Sequence, residues 1–166
     1  MNYSASIEVS APPEKVFPLV ADPKSRQDWM QKGFGARYTQ FSTEYPNGFD
    51  EAHAVGTKFV DVAKRTSGNL EAHYVGEILR YAKPSLFEFR TEVPFNASSQ
   101  GKTESAVRTV TVVTFQLTPS GSGTKVAWSM KDEAGSSFGL LNWPVVTLVQ
   151  GLMGQALKKL KIMAEG

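Results

Sequence analysis

NWPVVTLVQGLMGQALKKLKIMA, residues 142–164, decides the fold. Val145, Leu148, Val149, Leu152, Ala156, Leu160 and Met163 recur at spacings of three and four, the period of one face of an α-helix. Asn142 is a suitable N-cap, and Pro144 in the first turn loses no intrahelical hydrogen bond. Lys158, Lys159 and Lys161 stand near the C-terminal end, where cations complement the helix dipole. The spacing predicts one long helix with an apolar stripe, and the stripe needs a partner to cover it.

The partner lies upstream. Residues 3–10 alternate as a strand. Residues 34–42, 55–65, 70–81, 86–93, 107–117 and 125–133 follow as six more, separated by breakers such as Pro46-Asn47-Gly48, Ser67-Gly68-Asn69, Lys83-Pro84 and the polar stretch 94–106. Residues 11–30 form the exception. Pro12 and Pro13 open a short helix that Pro18 interrupts, ending near Asp22-Pro23, and a second short helix over 24–30 delivers Trp29. A meander of antiparallel strands buries one face. The expected fold is therefore α+β: a curved seven-stranded antiparallel sheet wrapped around the C-terminal helix, with two short N-terminal helices filling one end. The chain reads as a single domain over 1–166, without internal repeats.

Composition narrows the function. The chain has 166 residues, with 18 basic and 16 acidic side chains, too small an excess for nucleic acid as the main partner. The absence of cysteine removes disulfides, thiolate metal sites and cysteine nucleophiles. The start MNYSASIEVSAPPEK has neither a basic segment nor an apolar run, so a cytoplasmic protein is expected. Ala134 to Leu157 carries no charge, but Ser136, Ser137, Asn142, Pro144, Gln150 and Gln155 break it up. A buried helix after a loop fits better than a span of ~20 apolar residues, and three lysines are too few for stable anchoring.

Parity identifies the inward set: Thr109, Thr111, Val113, Phe115 and Leu117 in one strand, Val126, Trp128 and Met130 in the next, Phe87, Phe89, Thr91 and Val93 in a third. In 55–65, Phe59 argues for one parity and Val60 with Val62 for the other; if Phe59 points in, so does Asp61. Asp61, Tyr74, Arg80 and Tyr81 are the polar groups nearest to such an interior. Gly151 and Gly154 in the helix serve close packing against the sheet, a local bend, or space for a ligand. The large rings Trp29, Phe59, Tyr74, Phe87, Phe89, Phe115, Trp128 and Trp143 are many for one sheet-helix sandwich; they form either a solid aromatic core or the aromatic wall, with a few polar groups, that is the usual form of a small-molecule site.

The residues SIEVSAPPEKVFPLVADPKSRQDWM (6–30) resemble the opening of the SRPBCC superfamily, the START and Bet v 1-like group that includes polyketide cyclase/dehydrase and lipid-transport proteins. The resemblance rests on Ala11-Pro12-Pro13-Glu14-Lys15-Val16-Phe17, Asp22-Pro23 and Trp29. VGTKF (55–59), GEILRYAKPSLFEFR (76–90) and SGSGTKVAW (120–128) continue it in order. It implies a helix-grip fold with a cavity between sheet and helix. Pro18 and the proline and glycines of the last helix depart from the pattern. The superfamily also contains aromatase/cyclases, oxygenase domains and chaperone activators, so the fold alone does not choose among functions.

Motifs for other chemistry are missing. His53 and His73 lack HExxH or a carboxylate cluster, no GxSxG occurs, and Gly33-x-Gly35 lacks the context of a dinucleotide loop. No metal and no cofactor are expected. An inward Asp61 could act as a base if burial raised its pKa, but spacing does not pair it with a second group, and no catalytic residue is assigned. The expected function is binding of a small hydrophobic molecule (a lipid, polyketide or aromatic compound). The expected ligand-binding set is Trp29, Phe59, Asp61, Tyr74, Phe87, Phe89, Thr111, Val113, Phe115, Trp128, Met130, Trp143, Leu148 and Leu152. Two alternatives stand beside it: a cyclase/aromatase on the same cavity, and an interaction module like the chaperone activators. Ligand identity and oligomeric state are left open.

Overall fold

The computed structural model of the chain describes residues 2–33, 38–65, 71–94, 108–133 and 142–166; within these, the side chains at 23, 31–33, 38–41, 63, 65, 71–72, 93–94, 108–109 and 142–145 stay outside the description. Strand β1 is Asn2–Val9, helices α1 and α2 are Pro13–Ala21 and Pro23–Gly33, and strands β2 to β7 are Tyr38–Glu44, Lys58–Arg65, Glu71–Ala82, Leu86–Pro94, Arg108–Ser120 and Gly123–Asp132. Helix α3 is Asn142–Glu165. The strands form one antiparallel sheet in the order β1-β7-β6-β5-β4-β3-β2, so the first strand closes on the last and every other neighbour follows in sequence. The expected helix-grip α+β architecture is the observed one. The predicted turn at 67–69 lies outside the described residues, as does the predicted loop over 94–106 apart from Pro94, which ends β5.

Local chemistry fixes the two short helices. Pro12 and Pro13 stand at the start of α1, where a missing N–H leaves nothing unpaired. The Asp22 carboxylate accepts the Ser25 N–H at 2.8 Å, capping the start of α2. Trp29 Nε1 donates to the Leu19 carbonyl at 2.7 Å, which locks α2 against α1.

The stripe on α3 differs from the one its spacing predicts. Met153, Ala156, Leu157, Leu160 and Ala164 are the buried residues, with Val146, Val149 and Met163 packed at their edge. Leu152 is half-buried and Leu148 is 48% exposed. The cause is placement: α3 packs along β1 and against α2, while α2 in turn packs on β2. The helix is therefore flanked by α2 rather than centred under the sheet, and the face it buries is rotated toward Met153 and Leu157. Two bonds hold its C-terminal end to β1 and the residue after it: Lys161 Nζ donates to the Glu8 carbonyl at 2.8 Å, and Ser10 N–H donates to Glu165 Oε1 at 2.7 Å. A side chain added at Gly151 or Gly154 would meet nothing within 4 Å among the described residues, so close packing against those residues is not what these glycines serve.

Among the described strands the register shifts at two points, between Tyr38 and Gln40 at the start of β2 and within β4. Between Ile78 and Arg80 the β4–β5 register shifts, so Ile78 faces Phe89 and Tyr81 faces Phe87, while Arg80 faces Glu88. The extra residue sends Arg80 to the outer face, where its guanidinium donates to Glu88 at 2.7 and 2.6 Å. Of the polar groups that the sequence places nearest the interior, Arg80 thus lies on the outer face and Tyr81 on the inner one, an outcome of the bulge that no spacing rule reveals.

Candidate functional site

Strand register stacks the inner face into rows. The first row runs Tyr81, Phe87, Phe115, Trp128 and Ala5; the second runs Ile78, Phe89, Val113, Met130 and Tyr3. Then the chemistry changes. The third row is Phe59, Gly76, Thr91, Thr111 and Asp132, and the fourth is Thr43, Asp61 and Tyr74. Thr91 and Thr111 are buried, and the Thr111 hydroxyl donates to Asp132 at 2.9 Å. The concave face thus grades from aromatic at one end to polar at the other.

The aromatic end is tightly built. Trp29 packs edge-on against Phe115 and Trp128, with centroids 6.0 and 5.8 Å away, and Phe115 stacks on Trp128 at 5.2 Å. Phe89 contacts Phe59 at 5.4 Å and Phe87 at 5.3 Å. Each such contact adds roughly 0.5–1.5 kcal/mol beyond area burial.

At the junction of the two ends lies a residue that the sequence reading does not name. Arg26 of α2 is fully buried. Its Nη2 donates to Thr43 Oγ1 at 3.2 Å and to Asp61 Oδ1 at 3.3 Å, and the Thr43 hydroxyl donates to the same Asp61 oxygen at 2.5 Å. Three rings surround the guanidinium: Phe89, Phe59 and Phe87, with centroids at 5.1, 5.4 and 5.8 Å. Cation–π attraction is strongest when the cation is desolvated in this way. Arg26 Nε and Nη1 have no hydrogen-bond partner among the described residues, nor does the buried hydroxyl of Tyr45. Tyr45 follows β2 and contacts Phe59 at 6.0 Å, so both unmet groups flank the same ring.

Burial pushes the Asp61 carboxyl above its ordinary range, against the Arg26 charge and the Thr43 hydrogen bond, which pull it down. Burial also raises the Tyr45 hydroxyl. The arrangement can therefore do two things: donate hydrogen bonds from a fixed cation, and hold beside it a carboxylate that burial makes a stronger base.

Phe59 and Asp61 share the inward parity, which settles the strand left open by sequence, although Val62 is also buried. Trp29, Phe59, Asp61, Phe87, Phe89, Thr111, Val113, Phe115 and Trp128 are buried, and Tyr74, Met130 and Leu152 are half-buried. All of these except Leu152 lie on the sheet's inner rows or on α2 against them. Leu148 lies outside this group, on the exposed side of α3. Trp143 is the second residue of α3, and its side chain lies outside the description. Arg26, Thr43 and Tyr45 were missed. The available signal was the three-residue step from Arg26 to Trp29, which puts both on one helix face.

An open groove of about 690 Å³ lies elsewhere, lined by residues 47–50, 53 and 55–58. It contains Phe49, which stacks on Tyr45 at 5.0 Å, and the exposed pair of His53 Nδ1 with Asp50 at 2.8 Å. None of the expected wall residues lines it. Among the described residues no group of three His, Cys, Asp or Glu could hold a metal ion, and no helix is long and apolar enough to cross a membrane.

A family model described as polyketide cyclase / dehydrase and lipid transport matches residues 1–165. No curated protein sequence matches the chain. Solved structures resemble it at low identity. Protein CV1439 from Chromobacterium violaceum is 16% identical with a TM-score of 0.66, covering 99% of this chain and 97% of that one. TTHA0849 from Thermus thermophilus is 19% identical with a TM-score of 0.59, covering 99% and 97%. Ms6760 from Mycobacterium smegmatis is 14% identical with a TM-score of 0.62, covering 98% and 89%. At these identities the likeness is one of fold.

Proposed function

The chain belongs to the polyketide cyclase/dehydrase and lipid transport family, and from that premise we propose that it binds a small hydrophobic molecule between the inner sheet face and helices α2 and α3. The supporting observation is the graded inner face, with aromatic rows at one end and Thr91, Thr111, Asp61 and Thr43 at the other. The ligand's apolar body replaces ring-to-ring contacts or fills space beside Gly151, Gly154 and Leu152. Trp29, Phe59, Phe87, Phe89, Thr111, Val113, Phe115, Trp128 and Met130 are the residues it meets. Apolar burial at about 25 cal/mol per Å², less the entropic cost of association, is consistent with roughly micromolar affinity.

The test is a titration of the folded protein with the neutral dye N-phenyl-1-naphthylamine and competition by a fatty alcohol. Saturable dye fluorescence, displaced by the fatty alcohol, is the expected result. No saturable binding of either at protein concentrations where circular dichroism shows the native fold would remove the reading. A second reading, a cyclase/aromatase-type enzyme, draws on the buried Arg26–Asp61–Thr43 set, because two hydrogen-bonded polar groups meeting inside the fold are what a proton-transfer reaction needs. In that case Asp61→Asn abolishes turnover of a polyketone substrate while leaving its binding intact.

A further inference from the structure

The guanidinium of Arg26 carries five N–H donors in a planar fork. Nη2 spends its two on Thr43 and Asp61, and Nε and Nη1 keep the rest without an acceptor among the described residues. The faces of the same group are covered by Phe59, Phe87 and Phe89. A fully buried cation with idle donors is costly unless something supplies oxygen lone pairs to it. The hydroxyl of Tyr45 is also buried and without a partner among the described residues, and its ring packs on Phe59, one of the three rings around the guanidinium.

We propose that Arg26 Nε and Nη1, with the Tyr45 hydroxyl, form the polar end of the ligand site and select an aromatic or aliphatic ligand that carries a neutral oxygen acceptor, a carbonyl above all. The proposal rests on the binding function proposed above and adds the chemical class of the ligand. Neutrality follows from charge. Asp61 already balances Arg26, so a carboxylate would bring a second negative charge into a buried space, whereas a ketone or ester oxygen accepts the idle N–H groups without adding one. The surrounding phenylalanines hold the apolar part next to that oxygen. The same principle makes a site of unpaired donors reject analogues that lack the acceptor.

Three ligands of nearly equal shape test this by tryptophan-quenching titration: 2-acetylnaphthalene, 2-ethylnaphthalene and 2-naphthoate. The wild type binds the ketone about tenfold more tightly than the hydrocarbon and more tightly than the naphthoate, a difference of about 1.4 kcal/mol between ketone and hydrocarbon. Arg26→Gln removes the preference for the ketone over the hydrocarbon. Because Arg26 is buried, a folding defect in that variant is bypassed with the wild-type protein. The Arg26 Nε–H signal in a ¹H–¹⁵N spectrum shifts on adding the ketone and not on adding the hydrocarbon, and Tyr45→Phe reduces the ketone preference. Equal affinity for ketone and hydrocarbon, or an Arg26 signal indifferent to bound ketone, overturns the proposal while the binding function stands; tighter naphthoate overturns the neutral class. Absence of binding by all three overturns both.

Discussion

Arg26 and Asp61 hold each other in place because neither tolerates isolation in a dry interior. Removing one partner of a buried pair costs about 3–5 kcal/mol, because the other is left as an uncompensated charge. Asp61→Ala is therefore expected to lower stability in urea unfolding by that order, and Arg26→Met combined with Asp61→Leu to recover most of it. A loss below about 1 kcal/mol for Asp61→Ala would show that the pair is not buried as described. Gly76 makes a second residue-scale claim. It lies opposite Phe59, and a Cβ there would come within 2.2 Å of the Phe59 ring. Gly76→Ala should cost about 1–3 kcal/mol through overpacking and should move the ring beside Arg26. At this scale the sequence was half legible. Phe59 carried the parity that places Asp61 inside. Arg26 did not show itself, because Lys24, Asp28 and Lys32 make its helix read as a solvated charged segment.

Individual elements were legible where one period dominates. The strands over 86–94 and 108–120 and the long C-terminal helix follow from β-branched alternation and a three-four repeat. The rotation of α3 did not follow, because α2 takes part of the contact that a sheet alone was expected to provide. Substitutions on α3 measure that rotation. Leu160→Ala should cost about 2–5 kcal/mol, and Leu148→Ala should change stability by no more than about 0.5 kcal/mol. The reverse ranking would restore the face read from spacing. The β4 bulge yields a pH prediction. The Arg80 guanidinium holds the Glu88 carboxyl below its ordinary value of 4.5, with the Thr114 hydroxyl assisting. A lowered acid stabilises the fold above its unfolded pKa and loses that contribution as the pH falls through the folded one. Melting temperature should therefore fall on acidification below about pH 4.5, and Arg80→Gln should flatten part of that fall. An unchanged acid limb in the variant would contradict the role given to the pair.

For the whole molecule, the order of strands, the single sheet and the long terminal helix were readable from hydrophobic pattern, and the motif resemblance pointed to the family that the comparison shows. The polar end of the inner face was not, since it arises where register brings Thr43 and Asp61 from different strands beneath a side chain of α2. The central claim is that a hydrophobic molecule occupies the space between these layers. The most direct measurement is a ¹H–¹⁵N titration of the folded protein with 2-acetylnaphthalene, mapping the backbone amides that move. The account predicts saturable shifts clustered at Phe87, Phe89, Thr111, Val113 and Phe115 on the sheet and around Arg26 and Trp29 on α2. Shifts confined to residues 47–58 around the open groove, or none at all, would contradict it.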